Sequence, residues 1–153
     1  MKKSENQTKK REPILVREVA EMEIEKWFDL KMLDPDQRDN VNEITEKDEN
    51  KETLIRGFMW GYLTLEPDSG MITQKLKFPL KNESGLTTLD SLNYKYRLNQ
   101  KQVKDSSIGL KARDIEGKVA AYIAALTDQS RSIINLLDTE DRKIADAIVT
   151  YFL

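Results

Sequence analysis

The chain has 153 residues with no cysteine and no histidine, and its 25 basic and 27 acidic residues leave a formal net charge of −2. A disulfide framework, thiolate or imidazole catalysis and the commonest metal ligands are therefore excluded, and overall charge gives no electrostatic footprint for a nucleic acid. With 39% hydrophobic and 34% charged residues, the chain reads as one ordinary folded domain carrying solvated segments.

Residues 1–12 hold five basic side chains (Lys2, Lys3, Lys9, Lys10, Arg11) against two acidic ones, with nothing apolar after Met1, the pattern of a mobile polar tail. A basic arm on a nucleic acid is the functional alternative, disfavoured because the tail has no aromatic residue to stack on bases. Residues 13–33 read as an N-terminal helical arm. Val16, Ala20, Ile24, Trp27 and Phe28 make a helical stripe, with Val19, Met22 and Met32 off it, and a strand over residues 14–16 is the competing reading. Trp27 and Phe28 are either core or a docking patch, core being preferred.

Residues 34–52 carry eight acidic and three basic side chains, with Val41 and Ile44 as the only aliphatics, and read as an exposed acidic linker. Asp34, Asp36 and Asp39 lack the glycine and the distal glutamate of a calcium loop. The main domain is then expected over residues 53–153. Leu54, Ile55, Phe58 and Met59 share a helical face, and Gly61 is well placed to end that helix. The alternating run after Tyr62, the Pro67 to Gly70 turn, and Ile72, Gln74, Leu76 and Phe78 on one face predict a hairpin. Residues 81–88 read as a polar loop. Leu92, Tyr94, Tyr96 and Leu98 then alternate with polar residues as a third strand.

The last forty residues supply most of the remaining core. Ile115, Val119, Tyr122, Ile123 and Leu126 form one helical stripe flanked by Ala120, Ala121, Ala124 and Ala125, small enough to let a neighbouring backbone approach. A short helical turn over residues 130–137 presents Ile133, Ile134, Leu136 and Leu137. A final helix starts near Asp138 or Thr139 with acidic first-turn residues, and Ile144, Ile148 and Phe152 form its buried edge. The fold class is therefore α+β: a small three-stranded antiparallel sheet covered by C-terminal helices.

No residue set supports catalysis. The Gly57 and Gly61 pair lacks the context of a phosphate loop and reads as close packing at a turn. Helix-start chemistry accounts for Asp138, Glu140 and Asp141 without a metal, and no pair of carboxylates stands out for hydrolysis. No cofactor, metal or catalytic residue is assigned. No apolar run reaches the length of a membrane span or follows the charged start as a signal peptide would, so a cytoplasmic protein is expected. The chain finishes on Tyr151, Phe152 and Leu153, which something must cover. With Phe152 in the core, Ile133, Ile134, Leu137, Tyr151 and Leu153 are expected to form a protein-binding patch.

One resemblance goes further. Met71-Ile-Thr-Gln-Lys-Leu-Lys-Phe-Pro-Leu, Leu92-Asn-Tyr-Lys-Tyr-Arg-Leu, Ala121-Tyr-Ile-Ala-Ala-Leu-Thr, Leu136-Leu-Asp-Thr-Glu-Asp and Ile148-Val-Thr-Tyr-Phe occur in that order. Over residues 54–153 this resembles the small tail assembly chaperones of long-tailed bacteriophages. In that family a strand ending in proline precedes a Leu-x-Arg strand, a helix ending in Leu-Thr and a Leu-Asp-x-x-Asp helix with an apolar end. Two departures stand out: Asn99 and Gln100 occupy positions where the family often has proline and threonine, and the first fifty residues have no counterpart. The resemblance implies a non-catalytic protein that binds the tape-measure protein, and tail tube subunits beside it, during tail morphogenesis, with self-association multiplying its apolar surface. A structural tail or baseplate component and a small protein-binding adaptor are the alternatives.

Overall fold

The computed structural model describes residues 11–38 and 46–152. Helix α1 (Arg17–Leu30) buries Ala20, Ile24, Trp27 and Phe28, the stripe that the 3.6-residue period puts on one side. It ends in a Schellman motif: the Leu33 N–H reaches the Phe28 carbonyl at 3.1 Å and the Met32 N–H the Asp29 carbonyl at 3.0 Å. Met32 holds the left-handed position, at φ +55°, where glycine is usual. One turn of helix, α2 (Pro35–Arg38), follows with proline at its first position.

Helix α3 (Glu46–Met59) corrects the reading of residues 34–52 as a linker, because residues 46–52 form its first half. Charge count alone misled there. Arg17 on α1 grips Glu52 with two hydrogen bonds of 2.8 and 2.6 Å, and Lys51 lies 3.4 Å from Glu25, so these charges pair across helices. Residues 39–45 of the expected linker lie outside the described residues, as do residues 1–10 of the expected tail. Gly61, at φ +78°, ends the helix as its residue type predicts. Gly57 sits where a Cβ would come within 2.7 Å of Leu63, the close packing expected of it.

The sheet is antiparallel in the order β1 (Leu63–Leu65), β2 (Ile72–Lys81), β3 (Thr87–Tyr94). Leu63 faces Gln74 across the first pair and Ile72 faces Tyr94 across the second. Gly70, at φ +71°, closes the predicted β1–β2 turn. Three strand details differ from expectation. Phe78 is exposed rather than in line with Ile72, Gln74 and Leu76, because the ladder to β3 slips between Lys75 and Leu80. Residues 81–88 belong largely to a tight hairpin, since Lys81 pairs with Thr87. The third strand stops at Tyr94, where the Lys95 N–H turns to the Leu126 carbonyl of a helix at 2.9 Å.

Helices α4 (Gln100–Ser106), α5 (Ile115–Thr127), α6 (Arg131–Ile134) and α7 (Thr139–Thr150) complete the fold. Asn99 and Gln102 form a reciprocal capping box at the start of α4, so asparagine opens that helix where the resemblance leads one to expect proline and threonine. Asp114, Ser130 and Asp138 cap the next three. On α5 the buried face is rotated from the expected stripe. Ala120, Ala121, Ile123, Ala124 and Leu126 face inward, Val119 and Tyr122 lie at the margin, and Ile115 in the first turn is exposed.

The core does not divide at the boundary drawn between arm and main domain. α3 packs on both α1 and α7. Trp27 and Phe28 meet the Tyr151 ring at centroid distances of 5.8 and 4.7 Å, which makes them core and not a docking patch.

Candidate protein-binding surface

The expected patch is mostly interior. Ile134, Leu137 and Tyr151 are buried, Ile133 is half-buried, and Leu153 lies outside the described residues. The period of α7 explains the exchange at the chain end: Tyr151, three residues after Ile148, turns onto the Trp27 and Phe28 rings. Phe152, assigned to the core, instead sits at its edge, half-buried.

Among the described residues, the exposed large apolar side chains include two groups, besides Met32, Ile108, Ile115 and Leu136. Val16, Val19 and Met22, spaced three apart, line the outer side of α1 at 62%, 39% and 58% exposure, and Ile14 precedes them, also exposed. Phe78 and Leu86 are exposed where β2 and β3 run on past β1 as a two-stranded ribbon. Val19 and Met22 fall off the expected buried stripe, which is the signal for an outward apolar face, whereas Val16, expected on that stripe, is exposed because it precedes the first helical residue in extended backbone.

Asp141 sets how that ribbon is held. Its two side-chain oxygens accept the backbone N–H groups of Lys77 and Phe78 at 2.8 and 3.0 Å, and its carbonyl accepts from the buried Gln74 amide at 2.9 Å. Gln74 in turn accepts from the Tyr94 hydroxyl at 2.6 Å, and burial pushes that phenol well above its ordinary pKa. Successive N–H groups of a regular strand point to opposite edges. Both can reach one side chain here because the ladder is interrupted, and Pro79, with no N–H to satisfy, continues this edge. Asp141 thus blocks a strand edge otherwise open to pairing. The expectation that helix-start chemistry explains all three acids of that segment holds for Asp138 and is corrected for Asp141, which lies on the same buried helical side as Ile144 and Ile148. Among the described residues, no three acids come together as a metal cluster.

A second buried polar group, Lys31, went unmarked in the sequence. It lies four residues after Trp27 and so continues the α1 stripe inward. Only 3% exposed, its ammonium sits 3.2 Å from the Phe152 ring centroid and 5.6 Å from that of Trp27. Desolvation, with repulsion from Arg97 second, lowers its pKa from 10.5 to about 7.

The arrangement offers exposed apolar surfaces for binding at α1 and at the β2–β3 ribbon. No helix of the described residues is long and apolar enough to cross a membrane. No protein-family model, curated protein or solved structure matches the chain.

Proposed function

We propose that the chain is a non-catalytic tail assembly chaperone, acting in the cytoplasm of a phage-infected host, that binds a tape-measure protein while the tail is built. The observation that carries this reading is the outer stripe of α1. A holdase needs apolar side chains that stay in water on a well-folded, charged body, and Val16, Val19 and Met22 are held there by a helix whose opposite side is locked into the core. Spacing of three residues suits contact with another amphipathic helix, the form a tape-measure segment presents. The partner's identity comes from the resemblance over residues 54–153, and the α1 stripe supplies a surface on which to seat it.

The test is co-expression with a candidate tape-measure protein followed by pull-down. Val19→Ser with Met22→Ser should leave thermal melting unchanged and abolish capture, whereas unchanged capture removes the stripe from the interface. Failure of the unaltered chain to capture any such candidate rejects the reading. Mass spectrometry of purified particles separates the alternative: a chaperone is absent from them, a tail or baseplate component present.

A further inference from the structure

We propose that the cleft between α3, β2 and α7 binds single-stranded nucleic acid, with Trp60 and Tyr62 as its stacking platform and Arg11, Arg56, Lys77 and Lys143 on its phosphates. The inference does not rest on the tail-assembly reading. The cleft has a volume of about 240 Å³, and Arg56, Trp60, Tyr62, Lys77, Glu140 and Lys143 are among the residues that line it. The net charge of the chain gives no footprint for a polyanion, but among the described residues of this wall three cations, one each from α3, β2 and α7, meet a single acid, Glu140.

Arg11 adds a fourth cation. Its guanidinium lies 5.3 Å from the Trp60 ring centroid and 6.0 Å from that of Tyr62, and both terminal nitrogens donate to the Tyr62 hydroxyl at 3.3 Å. Three residues on, the Ile14 and Leu15 N–H groups bond the Met59 carbonyl at 2.7 and 3.1 Å, which tethers this segment beside Trp60. Arg11 closes the basic run Lys9-Lys10-Arg11, so the aromatic residues that this run lacks in sequence are supplied by the fold. The cations are also available to a ligand. Lys77 and Lys143 form no ion pair among the described residues. Arg56 reaches Glu52 only at 3.5 Å, because Arg17 holds that carboxylate with two shorter bonds.

The rings decide which polyanion fits. Trp60 and Tyr62 are half-buried, and the side chains that lie over them, Arg11 and Lys77, belong to exposed residues and can swing out to a phosphate as a base takes the ring face. A duplex keeps its bases stacked on one another. An acidic polypeptide engages the cations but has nothing flat to lay on the rings. A single strand uses both.

The test is a titration of the full chain with a labelled oligodeoxythymidine of about twelve residues, read by anisotropy and by tryptophan fluorescence, in which the buried Trp27 serves as internal reference. Binding should saturate, quench Trp60 and weaken with salt at a log–log slope of about −3, the counterion release of four phosphate contacts at about −0.7 each. Lys77→Gln with Lys143→Gln should lower affinity at least about tenfold and flatten the slope by about 1.4, whereas Glu140→Gln should tighten binding. Trp60→Leu should weaken binding about tenfold at an unchanged slope. If thermal melting shows that this variant does not fold, quenching of Trp60 in the unaltered chain decides the stacking. No saturable binding, no quenching, equal binding of a duplex of the same length or of polyglutamate of the same charge, or unchanged affinity in the lysine double variant would overturn the proposal.

Discussion

Burying Asp141 removes two hydrogen-bond acceptors from water, and the Lys77 and Phe78 N–H groups replace what is lost. Asp141→Asn would put an amide NH₂ against one of those donors, so a loss of about 2–4 kcal/mol is expected in urea denaturation. Asp138→Asn, at an exposed cap where asparagine serves equally well, should be near neutral. At Lys31 two effects oppose each other. The fall in pKa from 10.5 to about 7 corresponds to roughly 5 kcal/mol against the charged form. Attraction to the Phe152 ring returns about 2 kcal/mol for a desolvated pair. Desolvation wins, and the native state binds fewer protons than the unfolded chain between pH 7 and 10.5. Stability contributed by this group therefore rises with pH across that window, and its cost is greatest below it. Lys31→Met, of similar volume and uncharged, should raise the melting temperature most at or below pH 7, with the advantage shrinking toward pH 10.5; Arg97 and Tyr122 are unchanged in both proteins. Met32, 81% exposed at φ +55°, gives the opposite kind of test. Met32→Gly removes left-handed strain without opening a cavity and should stabilise by up to about 1 kcal/mol.

At the scale of elements, the buried face of α5 predicts a contrast in chemical denaturation. Ile123→Ala should cost about 2–4 kcal/mol and exposed Lys118→Ala close to nothing. Trp27→Ala should cost about 3–5 kcal/mol, since α1 is part of the core; a free arm would lose far less. Local chemistry made most elements legible: capping residues mark the starts of α5, α6 and α7, and Gly70 marks the first hairpin. What stayed hidden depends on partners distant in the chain. Glu52 and Lys51 look like solvated linker until Arg17 and Glu25 are set beside them. Alternation runs on through Tyr96 and Leu98, but a strand ends where its backbone changes partner, and Leu126 is invisible from Lys95. The patch failed for a related reason. Spacing identified Ile134, Leu137 and Tyr151 as one apolar group, and which side of that group faces the core is decided by α1, whose Trp27 and Phe28 occupy the space beside Tyr151.

For the whole molecule, the packing of α3 between α1 and α7 implies that the N-terminal helix and the C-terminal helix unfold together. Fluorescence of Trp27, isolated by Trp60→Phe, and hydrogen exchange in α7 should report the same midpoint in a denaturant series; two separated transitions would contradict a shared core. The same packing bears on how the chain is made. Trp27 and Phe28 leave the ribosome more than a hundred residues before the Tyr151 ring that covers them, and β2 likewise precedes Asp141, which seals its edge. At synthesis rates of about 5–20 residues per second, an apolar helix face and an unsealed strand edge wait on the order of ten seconds for their partners. Completion of this core is thus postponed until residue 151 has been made. Nascent chains stalled before residue 141 should lose α1 to a protease that spares it in the released protein, and in the interval they expose a surface prone to pairing with one another on the same message.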